Sequence, residues 1–309
     1  MLDRTALHTL VIDSLEEQIA VIDQKGTIVD VNSAWTDFGI ENGLSPEFAC
    51  LGCNYLEVLS ASPATGDSLA GEAAQGILDV VNGKRASFQL EYPCHSPDSK
   101  RWFVMNVRGL KGGPGNLFVI SHHNITQRKL AEEQAEYLAL HDPLTGLANR
   151  RYFNLFLNNA IRRNIRSRSP LSIIELDVDY FKEYNDEFGH PAGDQCLLKV
   201  ARILHAFSRR ASDLAARLGG DEFALVLGES GLEESRKVAD AIRKAVDDLN
   251  MVYGGSGKVT VSLGVASVIP QKGQAEDFLL QEADKALYDA KLAGRNRVIH
   301  ARIAAVKQA

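Results

Sequence analysis

Gly219-Gly220-Asp221-Glu222-Phe223 combines two features suited to a phosphate-bearing ligand and its cation: bare backbone and carboxylate oxygens. Glycine lets the main chain approach a ligand closely, and hard divalent cations prefer oxygen donors. Residues 214–216 before the glycines and 224–227 after Phe223 have strand composition. The Gly-Gly pair therefore predicts a tight β-hairpin turn. Neighbouring strand residues point to opposite faces, so Asp221 and Glu222 would present a carboxylate on each side of the tip. Taken alone, the five residues fit an ordinary hairpin with solvated acids equally well.

A second acidic element favours the chemical reading. Leu171-Ser172-Ile173-Ile174-Glu175-Leu176 is a short β-rich run ending in Asp177-Val178-Asp179, which would set carboxylates at a strand end beside the hairpin. Residues 181–194 follow, reading Phe-Lys-Glu-Tyr-Asn-Asp-Glu-Phe-Gly-His-Pro-Ala-Gly-Asp, and His141-Asp142-Pro143-Leu144-Thr145-Gly146-Leu147-Ala148-Asn149-Arg150-Arg151 stands upstream. In this order the motifs resemble the GGDEF domain of diguanylate cyclases, over residues 141–299.

The resemblance implies condensation of two GTP molecules to cyclic di-GMP with loss of two pyrophosphates, each step being attack of a ribose 3′-hydroxyl on an α-phosphate. It implies Mg²⁺ or Mn²⁺, two ions per active site, held by Asp177, the Val178 carbonyl and Asp221, with Asp221 and Glu222 as the catalytic carboxylates. Asp221 replaces the equally familiar Glu, shortening the arm by one methylene and keeping the charge. Asn185 and Asp194 carry over to the guanine, an amide and a carboxylate able to meet the base's acceptor and donors, with His190 shaping the same pocket. Gly219, Gly220, the backbone of Tyr180 and Phe181, and Lys182 carry over to the substrate. Lys291 and Arg295 match the late basic pair for the terminal phosphates; four residues apart at a helix end, they can converge on one anion. Arg210-Ala211-Ser212-Asp213 matches the R-x-x-D site at which product binds and inhibits. The product joins two nucleotides and each domain holds one, so a homodimer is implied.

The elements that must position these groups alternate. Helical spacing covers residues 152–167, 193–208, 232–249 and 275–292, and strands are expected at 171–176, on both sides of the hairpin, at 258–267 and at 297–299. That pattern predicts an α/β (α+β) domain, a mixed sheet covered by helices. The family resemblance agrees, implying a central five-stranded sheet akin to cyclase and polymerase palm domains.

The first half has a different rhythm. Residues 7–17 are spaced as a short amphipathic helix; Ile19-Ala20-Val21-Ile22 and Thr27-Ile28-Val29-Asp30-Val31 pair through Gln24-Lys25-Gly26, and Asn32-Ser33-Ala34-Trp35 opens a helix. A loop-rich stretch to Pro63, a helix over 68–82 ended by Gly83, and strands at 85–92, 101–108 and 116–123 complete an antiparallel unit. The order resembles a PAS domain, as do Asp30-Val31-Asn32-Ser33-Ala34 and the closing Asn124-Ile125-Thr126-Gln127-Arg128-Lys129, where Asp is usual at position 124. Residues 126–140 then carry a narrow apolar stripe, Leu130, Ala131, Ala135 and Leu138, suited to a two-stranded coiled coil or a solvated linker helix. The expected domains are thus a PAS-like sensor at 1–125, a signalling helix at 126–140 and a GGDEF domain at 141–309.

No pattern names the first domain's ligand. Gly52-Cys53-Asn54-Tyr55 has the residues of a flavin-adduct site in the wrong order, and no histidine lies between His8 and His95 to supply a haem ligand from the longer helix. Cys50, Cys53, Cys94 and His95 could form a tetrahedral metal site or be small buried and loop residues. His122 and His123 alternate along a strand, so one could face a pocket.

The 309 residues suit two domains, each long enough for its own core. With 34 basic and 40 acidic side chains the net charge is -6, which disfavours duplex nucleic acid as a partner. Four scattered cysteines suggest a reducing compartment, no apolar run approaches the roughly 18 residues of a membrane span, and residues 1–10 lack a signal-peptide pattern. The expectation is a cytoplasmic enzyme. The alternative is a catalytically silent receptor for GTP or cyclic di-GMP; such receptors usually lose the acids that are present here as Asp177, Asp221 and Glu222.

Overall fold

The computed structural model describes residues 3–45, 50–61, 67–111, 116–255, 257–272 and 277–303. The expected loop end at Pro63, the start of the last helix at Ala275 and the first two residues of the N-terminal segment lie outside them. The chain divides into two compact units, Met1–Gln134 and Ala135–Ala309.

The first unit contains α1 (Arg4–Asp13), β1 (Gln18–Ile22), β2 (Ile28–Val31), α2 (Ser33–Glu41), α3 (Tyr55–Ala61), α4 (Asp67–Val81), β3 (Ser87–Pro93), β4 (Trp102–Gly109) and β5 (Phe118–Asn124). Its five strands form an antiparallel sheet of order β2-β1-β5-β4-β3. The first hairpin is set locally: the Asp23 carboxylate accepts from the N–H groups of Lys25 and Thr27 at 2.8 and 2.9 Å, and Gly26 takes a φ of 82°. Asn32 is buried at the strand-to-helix junction, where its Oδ1 accepts from Ile19 and Trp35 N–H and its amide donates to the Ile12 and Glu17 carbonyls. Ile22, Ile77, Met105, Val107 and Ile120 form the core with Phe88, whose ring fills the space a side chain at Gly76 would need. The helix expected at 7–17 instead ends at Asp13, and none of its residues is buried. Asp13 there accepts from the Ser33 N–H.

The helix α5 (Thr126–Leu140) carries the chain across the unit boundary. It is followed by α6 (Arg150–Ser167), β6 (Leu171–Asp179), α7 (Phe181–Phe188), α8 (His190–Phe207), β7 (Asp213–Gly219), β8 (Glu222–Gly228), α9 (Leu232–Asp247), β9 (Val252–Tyr253), β10 (Gly257–Lys258), β11 (Thr260–Val268), α10 (Phe278–Leu292) and β12 (Val298–His300). The second unit's main sheet has the order β12-β11-β6-β8-β7, with only the β11–β12 pair parallel among its described strands. Strand alternation divides its residues between two cores. Ile174, Leu176 and Val178 pack with Leu197, Val200 and Leu204 of α8 and Ile242 of α9. Leu171 and Ile173 pack on the other side with Phe153 and Leu157 of α6 and Ala283 of α10. The mixed five-stranded sheet is therefore the one expected, and it places β6 at the centre.

Candidate active site

The central strand changes character along one face. Leu171 and Ile173 are apolar and fully buried, but the next residues of the same alternation are Glu175, Asp177 and Asp179. This acidic end runs alongside α10, which comes close because position 264 of β11 has no side chain. A Cβ at Gly264 would lie 2.2 Å from the Ala283 carbonyl oxygen and the Leu287 nitrogen. The close packing brings Lys291, in the last turn of α10, within 2.7 Å of Asp177.

Across from this end lies the hairpin turn. Gly219 and Gly220 take φ values of 157° and 52°, conformations that suit glycine. Arg217 fixes the turn, donating from Nε and Nη2 to the Gly220 carbonyl at 2.9 and 2.7 Å and from Nη1 to Asp142 at 3.1 Å. Asp142 also accepts from the Thr145 N–H and hydroxyl. These bonds outweigh the effect of burial and hold its carboxyl below the usual range. The His-Asp-Pro-Leu-Thr segment thus acts as a brace for the turn 75 residues later.

One pocket of about 200 Å³ gathers Asp177, Val178, Asp179, Tyr180, Phe181, Lys182, Asp221, Lys291 and Arg295. The Val178 N–H donates to the Asp221 carbonyl at 3.3 Å, tying strand end to hairpin. Burial raises the Asp177 carboxyl to about 6; Asp221 adds to the rise and Lys291 opposes it. Tyr180 adopts a left-handed conformation before α7, with φ 58°, and the Arg295 guanidinium lies 4.8 Å from its ring centre. Asp179 is buried and bonded to the Thr260 and Ser262 hydroxyls at 2.7 Å each and to the Asn296 N–H at 3.1 Å. It therefore anchors the loop that carries Arg295.

The carboxylates of Asp177 and Asp221 make a partial oxygen set of the kind a divalent cation completes with water and phosphate oxygens. Among the described residues, no three His, Cys, Asp or Glu side chains form a closed cage. Glu222 lines a different pocket, of about 300 Å³, with Glu175, Asp284 and Arg150, whose Nη2 is 3.4 Å from Glu222. Burial, aided by Asp284 and Glu222, raises Glu175 to about 7. The structure thus sets the two adjacent acids in separate pockets.

Asn185 lies on α7, and His190 and Asp194 are exposed on the first turns of α8, outside the 200 Å³ pocket. The Asn185 Oδ1 is buried with no hydrogen-bond partner, and a Cβ at Gly193 would sit 1.8 Å from it. Arg210 and Asp213 close one turn through the Asp213 N–H to Arg210 carbonyl bond of 2.9 Å; the Arg210 guanidinium faces Glu234 at 3.6 Å. Sequence reasoning gave Asp142 only a helix-stopping part and Asp179 only a place among the strand-end acids, and it gave no role to Arg217, Gly193 or Gly264. The signals available were the bare glycines, the Pro-Leu-Thr-Gly turn after Asp142 and the third acid of β6.

In the first unit, His122 is buried and His123 exposed, the latter 3.3 Å from Glu17. All four cysteines are free. Cys50, Cys94 and His95 line a cavity that Cys53 does not, and the His95 Nδ1 accepts from the Arg101 N–H.

A mixed five-stranded sheet thus carries acids on its central strand and adjoining hairpin beside a cationic helix end, the arrangement of an α/β domain with its candidate site at one strand end. Residues 139–297 match the family described as diguanylate cyclase, GGDEF domain, and the chain belongs to that family. Over 179 residues it is 38% identical to the diguanylate cyclase DgcM of Escherichia coli, covering 58% of this chain and 42% of DgcM. Over 165 residues it is 38% identical to the response regulator PleD of Caulobacter vibrioides, covering 52% of this chain and 36% of PleD. The chain thus spans about two fifths of these relatives. The coiled coil and GGDEF domain of DgcB from Caulobacter crescentus, solved in complex with c-di-GMP, is 31% identical with a TM-score of 0.53, over 57% of this chain and 93% of that one. The matching half has the GGDEF fold.

Proposed function

We propose that this chain is a diguanylate cyclase that condenses two GTP molecules to cyclic di-GMP and two pyrophosphates. The observation that carries the reading is the convergence of Asp177, Asp221, Lys291 and Arg295 on one pocket beside the α7 N-terminus, in a chain of this family. In each half-reaction the ribose 3′-oxygen bonds to the α-phosphorus and the bond to the β-phosphate oxygen breaks. Asp177, the Val178 carbonyl and Asp221 would hold Mg²⁺ or Mn²⁺, which when bound neutralises triphosphate charge and lowers the hydroxyl's proton affinity. Lys291 and Arg295 receive the terminal phosphates, with Lys182 and the Tyr180 and Phe181 backbone beside them. Asn185, Asp194 and His190 read the guanine, and the partnerless Asn185 oxygen supports this by offering an acceptor to the base. Glu222, paired with Arg150, shapes the hairpin flank.

The β2-β1-β5-β4-β3 order of the first unit supports a PAS-type sensor. The α5 helix, which buries none of its residues, supports a homodimer that brings two active sites together. Product held by Arg210 and Asp213 would inhibit. No helix among the described residues is long and apolar enough to cross a membrane, and the working place proposed is the cytoplasm.

Incubating the purified chain with GTP and Mg²⁺ and separating nucleotides by chromatography tests the activity. Cyclic di-GMP is expected. Binding of GTP or cyclic di-GMP without turnover would instead establish the silent receptor.

A further inference from the structure

The first unit contains a partly open cavity of about 370 Å³, the small end of the range for organic-ligand sites. Its walls are aromatic: Trp35 and Phe38 come from α2, Tyr55 from α3 and Tyr92 from β3. Such rings favour a flat apolar or aromatic occupant through edge and face contacts. None of the described lining residues is Asp, Glu or Lys.

Two polar features define the rest. His122 is held at both ring nitrogens, Nε2 lying 2.8 Å from the Tyr55 hydroxyl and Nδ1 2.6 Å from that of Tyr92. With both nitrogens engaged, it is not free to coordinate a metal or haem iron, and burial keeps it neutral by lowering its pKa to about 4. Arg101 supplies the permanent charge. Its guanidinium is positioned by neutral partners, donating to the Cys94 carbonyl at 3.1 Å and the Asn42 Oδ1 at 2.7 Å, and lies over the Phe38 ring. No carboxylate pairs with it among the described residues. A cation held by neutral acceptors at an apolar cavity, with no acid among its described lining residues, is matched by an anion on an aromatic body.

We propose that this cavity is a binding site for a small aromatic carboxylate, with its ring among Trp35, Phe38, Tyr55 and Tyr92 and its carboxylate on Arg101. The site requires no cyclase activity and stands or falls separately from it.

The probes are 3-phenylpropionate and its neutral isostere 3-phenylpropionamide, titrated calorimetrically into the full chain. The chain has two tryptophans. Trp102 does not line the cavity, so Trp102→Phe leaves Trp35 as the emission reporter. Saturable binding of the acid with a change in Trp35 emission is expected. The amide should bind at least about tenfold more weakly, the scale of one charge-assisted hydrogen bond. Arg101→Gln should bring acid and amide to similar affinity, and Ala73→Leu, which fills the cavity from α4, should weaken both. Equal binding of acid and amide by the unaltered chain, or no saturable binding of either, overturns the proposal. That comparison needs no variant to fold. An unchanged acid-to-amide ratio in a folded Arg101→Gln chain overturns the role of Arg101.

Discussion

Lys291 Nζ lies 2.7 Å from Asp177 Oδ2, so a cation proposed to receive phosphate is the counter-ion of a carboxylate proposed to hold metal. Asp177 is otherwise crowded by Asp221 and Asp179, both of which raise its pKa. Lys291 thus offsets part of the charge on Asp177, and a metal–nucleotide pair could take over both partners at once. Lys291→Ala should raise the KM for GTP by about tenfold or more, the scale of one lost charge-assisted bond. Lys291→Arg should recover part of the loss. The check is initial rate against GTP concentration; an unaltered kcat/KM would remove Lys291 from the phosphate site.

Asp221 stands on the turn outside the regular strands, with its backbone fixed by the Val178 N–H and the turn itself fixed by Arg217. Removing its carboxylate should therefore abolish cyclic di-GMP synthesis while leaving the melting temperature within a few degrees of the parent. Chromatographic product analysis and thermal unfolding of Asp221→Ala decide this. Near-parental synthesis would sink the metal assignment.

Gly193 and Asn185 form one unit, because the Asn185 amide occupies the space a side chain at position 193 would take. Gly193→Ala should displace Asn185 and reduce the preference for GTP over ATP by roughly the 1–3 kcal/mol of an unsatisfied polar group. Asn185→Ala should act in the same direction, and the double variant should lose less than the sum. Competition between GTP and ATP measures it, and an intact preference in both single variants would place guanine recognition elsewhere.

Local chemistry made part of this site legible. A Gly-Gly pair between strand-like runs demands positive φ, and acids ending a buried strand stand out because the alternation of Leu171 and Ile173 cannot continue through Glu175, Asp177 and Asp179 in an apolar core. The brace from Asp142 through Arg217 to Gly220 and the approach of α10 to Gly264 depend on tertiary contacts that no local period encodes. Periodicity at Leu7, Leu10 and Val11 signalled an apolar helix face, but it carries no information about what covers that face; the three residues are exposed. The separation of Asp221 and Glu222 was read from strand alternation. What sets it in the structure is that Glu222 pairs in register with Asp177 while Asp221 remains in the turn.

Burial lowers the pKa of His122 from about 6.5 in the unfolded chain to about 4 in the fold. The unfolded state therefore binds the extra proton first. The contribution is complete above pH 6.5, declines as pH falls toward 4 and changes no further below it, at most about 3 kcal/mol in all. His122 faces Tyr55 from α3 and Tyr92 from β3, both pushed further from ionisation by burial, so neither titrates in this window. His122→Gln, which can still bond both hydroxyls, should flatten the fall in first-unit melting temperature between pH 7 and 4.5. Parallel curves for parent and variant would show that His122 is not the titrating group.

The last expectation concerns control of the proposed cyclase. On the proposed reaction each GGDEF domain would supply one nucleotide and two copies would have to meet, so specific activity should rise with protein concentration through the dissociation range of the dimer. Arg210 is exposed and its partner Glu234 is 3.6 Å away across solvent, a weak pair that an anionic ligand can displace. Asp213, three residues on, accepts through Oδ1 from the Gly228 N–H, which fixes its carboxylate. Product bound there would favour whichever arrangement of the two domains buries it, and if that arrangement separates the Asp221 sites, turnover falls as product accumulates. Arg210→Ala should leave the initial rate unchanged and raise the final yield, because only the later, inhibited phase is relieved. Progress curves with and without added cyclic di-GMP separate the phases; product inhibition that persists unaltered in the variant would remove the inhibitory role from Arg210.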